Sequence, residues 1–230
     1  LARVRVFEIG RCFERQADGG PVNGFHQPLR VAALAAGLAA PEQWGTASRQ
    51  VDFYDVKGDL EALFAPRSLS FESLSDPALH PGRAASVLLD DQRIGFIGEI
   101  HPVWVQRYEI GSAPVVFEVD LAAVLAADLP AYREISRLPA VSRDVAFVVP
   151  QSLTAARVLE VMQDAAAPIV KRIELFDVYH GRGIDPEKKS LAFRVLMQDT
   201  QRTLEDAEVD AAVESIVRHA ESVLGARLRG

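Results

Sequence analysis

Residues 188–198 form the most restrictive run in the chain. Leu191, Phe193, Val195 and Met197 are apolar, while Ser190, Ala192, Arg194 and Gln198 around them are small or polar. Period-two alternation puts one set on a buried face and leaves the other face wet. The run before it, from Ile169, predicts a partner strand. Gly181-Arg182-Gly183 and Asp185-Pro186 supply the turn chemistry between the two. On the partner strand, Phe176 and Val178 are expected to face the core. Asp177 and Tyr179 then point onto the wet face that carries Ser190 and Arg194. Ile173 and Leu175 share parity with Asp177 and Tyr179, however. Either a bulge resets the phase, or the first half of that strand is covered on both faces.

A Tyr beside an Asp, a Ser and an Arg on an open sheet face suits an unstacked nucleobase, because the ring stacks and the polar groups read the base edge. The same pattern fits a solvated sheet face with one exposed aromatic. The residue types alone leave both readings open.

The ordered motifs carry a resemblance. LFDVYHGRGIDPEKKSLAFRVLMQDTQRTLEDAEVD resembles the C-terminal ferredoxin-fold anticodon-binding module of the bacterial phenylalanyl-tRNA synthetase beta subunit, and SRLPAVSRDVAFVV (136–149) is similar to its opening. Upstream, VDFYDVKGDLEALF and GFIGEIHP resemble the catalytic-like core of that subunit. The match runs in order from about Val6 to the C-terminus.

The resemblance implies an α+β chain. An antiparallel-sheet, class II synthetase-like but non-catalytic domain (1–136) would be followed by a ferredoxin-like βαββαβ domain (137–230). It implies that Asp177, Tyr179, Ser190 and Ala146 meet the anticodon. By residue type, Tyr179 would stack on a base, Asp177 would accept from a base N–H, Ser190 would donate or accept, and Ala146 would permit close approach. Arg143 and Arg194 are added here as phosphate partners, although the core-facing parity of Arg143 also fits a pairing with Asp144 or a helix end. The implied partners are tRNA(Phe) and the alpha subunit, in a cytoplasmic heterotetramer of two alpha and two beta subunits, with no membrane and no DNA. ATP and Mg2+ would act on the alpha subunit. No cofactor, metal or catalytic residue is expected in this segment, which alone would be inactive. A ferredoxin-like regulatory module binding a small ligand without RNA is the alternative, and an enzyme built on His80, His101 and the aspartates is a further one.

Composition sets the bounds. The 230 residues are 49% hydrophobic and 25% charged, values of a soluble globular chain, and suffice for one large domain or two ordinary ones. No apolar run reaches the roughly 18 residues a membrane span needs. The chain opens at Leu1 in a strand-like run, which predicts the C-terminal piece of a longer protein. The lone Cys12 rules out an intrachain disulfide and fits a reducing compartment as a buried thiol. Net charge is −7, with 12 basic and 18 acidic residues before Ser136 and 13 and 14 from there on. Neither half has the broad basic footprint of many nucleic-acid binders. Arg182, Lys188, Lys189, Arg194 and Arg202 make a local basic set on the hairpin and its exit.

In chain order, residues 4–13 predict a strand, 17–28 a polar glycine-rich link, 31–38 a further strand and 41–50 a loop. Asp52–Phe64 predicts a helix with Val56, Leu60, Leu63 and Phe64 on one face. Asp52, Asp55 and Asp59 fit a solvated helix start better than a metal cluster. A strand at 68–71, a turn at His80–Arg83, a hairpin of 84–89 with 93–100 about Asp90-Asp91-Gln92, a short helix at 103–108 and a strand at 115–121 complete the first part. His80 and His101 lack a Cys or His partner at metal-ligand spacing. GFIGEIHP has no Arg after its Glu, so a nucleotide's phosphates would lack a cation there. Pro130–Pro139 reads as the linker, with the boundary near Ser136.

The second part predicts a strand at 143–149, then a helix capped by Ser152 or Thr154 with Val158, Met162 and Ala165 on its apolar face. After the hairpin comes a helix opened by a Thr203/Asp206 capping box. Val209, Val213, Ile216, Ala220 and Val223 are expected to be buried in it. Gly225 ends it in the left-handed conformation, and 226–229 can add an edge strand.

Overall fold

A computed structural model describes residues 3–20, 24–126 and 135–229, so most of the expected linker lies outside the described residues. The chain divides into two compact units, Leu1–Ala131 and Tyr132–Gly230.

The first unit is an antiparallel sheet with a helix packed on part of one face. Its strands are β1 (Arg3–Arg11), β4 (Leu29–Gly37), β5 (Ser70–Ser73), β6 (Leu79–Leu89), β7 (Gln92–Ile100) and β8 (Val115–Asp120). Their spatial order is β1-β4-β8-β7-β6-β5. The expected link at 17–28 instead contains strands β2 (Glu14–Gly20) and β3 (Gly24–His26), paired as a separate two-stranded ribbon. His80–Arg83 is not a turn. It lies within β6, at a register irregularity between Leu79 and Ala84, so the strand bends without ending. The β6–β7 hairpin turns on Asp90 and Asp91, both at positive φ (50° and 61°), the conformation a two-residue hairpin requires.

Helix α1 (Phe53–Phe64) begins where the sequence supplies a cap. The Asp52 carboxylate accepts from the N–H groups of Tyr54 (2.8 Å) and Asp55 (3.1 Å), and Asp55 accepts from the Asp52 N–H at 2.9 Å. This is a reciprocal capping box with Asp at both positions. Arg49 grips both Asp55 oxygens at 2.6 Å, and Arg5 pairs with Asp59. The three aspartates thus hold the helix start and its side rather than converging as metal ligands. Val56, Leu60 and Phe64 are buried against Val87, Ile97, Val115, Phe117 and Val119 of the central strands. Leu63, expected beside them, is exposed. It lines an apolar groove with Phe7 and Ile9 of β1 and with Val124 and Leu125, because α1 packs chiefly on β7 and β8 and meets β1 through the Arg5–Asp59 pair. Leu125 belongs to a short helix, α3 (Leu121–Leu125), that the sequence pattern did not predict; α2 is Pro102–Arg107.

The second unit is a four-stranded antiparallel sheet of β9 (Val141–Pro150), β10 (Val170–Tyr179), β11 (Lys188–Met197) and β12 (Arg227–Leu228), in the order β10-β11-β9-β12. Helices α4 (Ala155–Asp164) and α5 (Asp206–Leu224) both pack on one face, giving the ferredoxin-like split βαβ arrangement. The core is the one the alternation predicts: Leu191, Phe193, Val195 and Met197 with Val145, Phe147 and Val149, closed by Val158, Met162, Val209, Ile216 and Ala220. Three helix details differ. Val161 takes the buried place expected of Ala165, which is the α4 C-cap. Ala212 takes the one expected of Val213, which is half-buried, and Val223 is exposed. The α5 capping box is Glu205 with Glu208, not Thr203 with Asp206, since Glu208 reaches back to the Glu205 N–H and is gripped by both terminal nitrogens of Arg202. Thr154 caps α4 by accepting from the Arg157 N–H at 3.2 Å. Gly225 at φ 59° ends α5 as expected.

The grip of Arg49 depresses the Asp55 carboxyl to about 2 from an ordinary 3.8. A folded-state pKa below the unfolded one stabilises the fold above the unfolded pKa, and that contribution is lost as pH falls through the folded one. Asp55→Asn is therefore expected to cost about 1 kcal/mol at pH 7, with the gap from the parent closing between pH about 4 and 2. Both tryptophans, Trp44 and Trp104, lie in the first unit, so denaturant unfolding followed by their fluorescence reads this directly. Phe193→Ala, deep in the second core, is expected to cost about 3–5 kcal/mol. It should lower the amide circular-dichroism transition of the second unit while leaving the tryptophan transition in place.

Candidate nucleic-acid interface

The face of the second sheet opposite α4 and α5 is open, and register fixes what it shows. Cross-strand partners share a face. Three rows cross it: Glu174–Arg194–Asp144, Asp177–Ala192–Ala146, and Tyr179–Ser190–Val148–Arg227. Asp177 and Tyr179 of β10, Ser190 and Arg194 of β11 and Ala146 of β9 therefore stand on one surface.

This grouping depends on a bulge. The β10–β11 register shifts between Leu175 and Asp177, leaving Phe176 without a partner. Before it, the odd-numbered Ile173 and Leu175 pair with Val195 and Phe193 on the core side. After it, Val178 pairs with core-facing Leu191, and Asp177 and Tyr179 move to the open side. Of the two explanations left open by the parity conflict, the phase reset is the one that holds. Two core expectations fall with it. Phe176 is 51% exposed because it is the bulged residue, and Val178 is 46% exposed because β10 is an edge strand and the helices do not reach over its end. The Phe176 ring lies 5.0 Å from the Arg194 guanidinium carbon, a cation–π contact. Sequence reasoning placed Phe176 inside; its place beside the site follows only from the bulge.

Arg194 is engaged on its own face. Its Nε and Nη2 donate to the two Asp144 oxygens, both at 2.8 Å. This fork holds the Asp144 carboxyl below the usual carboxylate range and raises the arginine. The charge expected to face a phosphate is thus already matched by a carboxylate. Arg143 departs further from expectation. Its parity is that of Val145 and Phe147, so it lies on the helix side, where its guanidinium sits 3.7 Å from Asp206 and 3.8 Å from Asp210 of α5. It is not on the surface that carries Tyr179, and the pairing with a helix end is the outcome observed.

Ser190 also differs. It is on the open face by register but only 2% exposed, because Tyr179 and Val148 flank it and the Arg229 side chain crosses above it, with Nη1 donating to the Ser190 Oγ at 3.4 Å. Tyr179 is half-buried. Its hydroxyl donates to the Arg182 carbonyl at 3.2 Å, and its ring packs on Gly181 so closely that a Cβ there would stand 2.9 Å from the hydroxyl oxygen. Gly181 also sits at φ 152°, a conformation that L side chains rarely adopt, so glycine suits the turn over which the ring folds back. Asp177 is exposed, and Ala146 and Ala192 make a shallow floor between the charged row and the tyrosine.

Other candidates do not assemble. His80 Nδ1 accepts from the Gly82 N–H at 3.0 Å, and His101 Nδ1 caps α2 by accepting from the Val103 N–H at 3.1 Å. Glu99 holds Arg83 through both oxygens at 2.8 and 3.0 Å, so the charge of Arg83, on the neighbouring strand, is already matched. Cys12 is half-buried, and burial pushes its thiol upward, away from a reactive thiolate. Among the described residues no group of three His, Cys, Asp or Glu is placed to hold a metal ion. No described helix is long and apolar enough to cross a membrane.

Comparison with known proteins agrees with the ferredoxin-like fold of the second unit. Residues 1–121 match the family model of the phenylalanyl tRNA synthetase beta chain CLM domain, and residues 136–229 match the ferredoxin-fold anticodon binding domain. The chain is 81% identical over 229 residues to the phenylalanine–tRNA ligase beta subunit of Aromatoleum aromaticum, 57% over 227 to that of Dechloromonas aromatica, and 44% over 227 to that of Neisseria meningitidis. These alignments cover 100%, 99% and 99% of the chain, but only 29%, 29% and 28% of those proteins. The chain thus spans about three-tenths of the length of these curated relatives. With one family model covering more than half of its residues and the second taking up most of the remainder, the chain belongs to the phenylalanyl-tRNA synthetase beta chain family.

Proposed function

We propose that this chain is the tRNA-reading and structural end of a phenylalanine–tRNA ligase beta subunit, with its second unit recognising the anticodon of tRNA(Phe). The observation that carries the reading is the open sheet face on which the bulge at Phe176 groups Asp177 and Tyr179 with Ala146 and Ser190. Tyr179 offers an aromatic platform for an unstacked base, a contact worth roughly 1–3 kcal/mol. Asp177 accepts from a base edge that presents N–H donors, and the alanine floor lets the base come close. Single-stranded loops are read in this way, because their bases can be splayed out of the stack.

The remaining assignments extend the same reading. The chain works in the cytoplasm with the alpha subunit, two alpha with two beta, and this segment has no catalytic residue. Activation of phenylalanine with ATP and Mg2+ takes place on the alpha subunit. The glycine-rich strand of the first unit is a poor fit for a nucleotide, because no Arg follows Glu99 and that carboxylate already holds Arg83 on the neighbouring strand. A regulatory ligand-binding role without RNA finds no support in the family membership, and the histidines and aspartates that a separate enzyme would need are engaged in capping and ion pairs.

Tyr179→Ala in the assembled synthetase is expected to weaken tRNA(Phe) binding about 5- to 100-fold, read by filter binding with intact tRNA and with tRNA lacking its anticodon stem. The loss should appear only with the intact molecule. A folded variant that binds intact tRNA as tightly as the parent refutes the role.

A further inference from the structure

The second half of the expected linker belongs to the second unit, and two side chains hold it there. Residues 135–140 lie in no strand or helix, and neither does the stretch 198–205 by which β11 leaves for α5. Ser136 Oγ donates to the Asp199 carbonyl at 2.7 Å and accepts from the Leu138 N–H at 3.2 Å. Gln198 Nε2 donates to the carbonyl of Leu138, 60 positions away, at 2.7 Å, while the Gln198 N–H donates to the Ile169 carbonyl at 2.8 Å. Side chains thus satisfy backbone groups that no ladder or helix pairs. The exit loop is braced in turn. The Asp199 carboxylate accepts from the Gln201 N–H at 2.8 Å, and Arg202 is held by Glu208 in the first turn of α5. Ser136, Leu138, Gln198 and Asp199 are all half-buried. The contact sits past the Met197 end of β11, the opposite end from Ser190 and Tyr179.

We infer that Ser136 and Gln198 form a clasp that fixes where the second unit is tethered, and that Gln198 is a positioning residue for the ligase reaction. The inference rests on the anticodon reading above, in which one tRNA is held at its anticodon by the second unit and charged at the alpha subunit. Two engagements of one molecule, joined through a chain, are linked binding events, and the second depends on the length and stiffness of the tether. With the clasp closed, residues 136–138 move with β11 and α5, and the tether ends at Ser136. With it open, three residues join the tether and add about 10 Å of reach. A longer tether lowers the effective concentration roughly as the −3/2 power of its length. It also loosens the direction in which the open sheet face is offered. Glutamine suits the place because its amide donates to the Leu138 carbonyl. A glutamate of the same shape has no donor and sets its charge against that oxygen.

The test uses the complete synthetase, alpha with full-length beta, carrying Gln198→Glu, Ser136→Ala or both. Hydrogen exchange over residues 136–140 reads the clasp itself and is expected to speed up in each variant. KM for tRNA(Phe) in aminoacylation should rise about two- to fivefold, while the rate of phenylalanine-dependent pyrophosphate exchange stays at the parent value. Binding of an isolated tRNA(Phe) anticodon stem-loop, which engages one site only, should be unchanged. Unchanged exchange in the double variant, or an unchanged KM for tRNA despite faster exchange, overturns the inference. A stem-loop affinity that falls in step with the rise in KM also overturns it, because the contact then acts only by supporting the fold of the unit. Failure of the anticodon reading shows separately, as a parent synthetase that binds the stem-loop no better than Tyr179→Ala does.

Discussion

One extra residue in one strand decides what the second unit can present. Without the bulge at Phe176, β10 would keep a single phase against β11, and the parity that buries Ile173 would also point Asp177 and Tyr179 at the helices. A carboxylate and a phenol would then face Leu191 and Phe193, at the cost of burying both. The bulge lets one strand serve two faces in sequence. Its first half closes the core and its second half builds the open surface. Strand ends beside functional sites are common places for this device, because a bulge re-aims side chains without disturbing the pairing on either side.

The electrostatics of that surface are mostly local. Arg194 and Asp144 form a closed fork, Arg172 pairs with Glu174, and Arg143 answers Asp206 and Asp210 on the helical side. Such exposed pairs contribute little to stability. Their effect is to fix geometry, for instance by holding Arg194 over the Phe176 ring. The first unit follows the same habit, with Arg49 on Asp55 and Arg83 on Glu99 anchoring a helix start and a pair of strands. Its sheet is antiparallel throughout, and its core is a single helix laid over the two central strands.

Periodicity carried the reading of the fold a long way. The alternation of Leu191 to Met197 marked a strand and its buried face, the i to i+4 spacing of Val56, Leu60 and Phe64 marked α1, and Gly225 marked the end of α5. What escaped was tertiary. Leu63 and Val223 have the right spacing for burial, but the described structure leaves each of them exposed over more than two-fifths of its surface. The ribbon of β2 and β3 has glycine-rich polar strands with no hydrophobic pattern to announce them. Five of the candidate residues sit on one face because register, bulge and parity are all local properties of neighbouring strands. The burial of Ser190 and the place of Arg229 were beyond reach, since both arise from a contact between residues 39 positions apart that no short-range pattern encodes.

The internal matching of charge on the open face has a bearing on how it would meet a polyanion. Affinity built on many free cations comes from releasing the condensed counterions of the nucleic acid, and it decays steeply as salt is added. With the Arg194 fork closed by a carboxylate, the face releases fewer such ions than it would with that arginine free. Its grip, resting on stacking and on base edges, would hold at ionic strengths that strip a basic-patch binder from the same RNA.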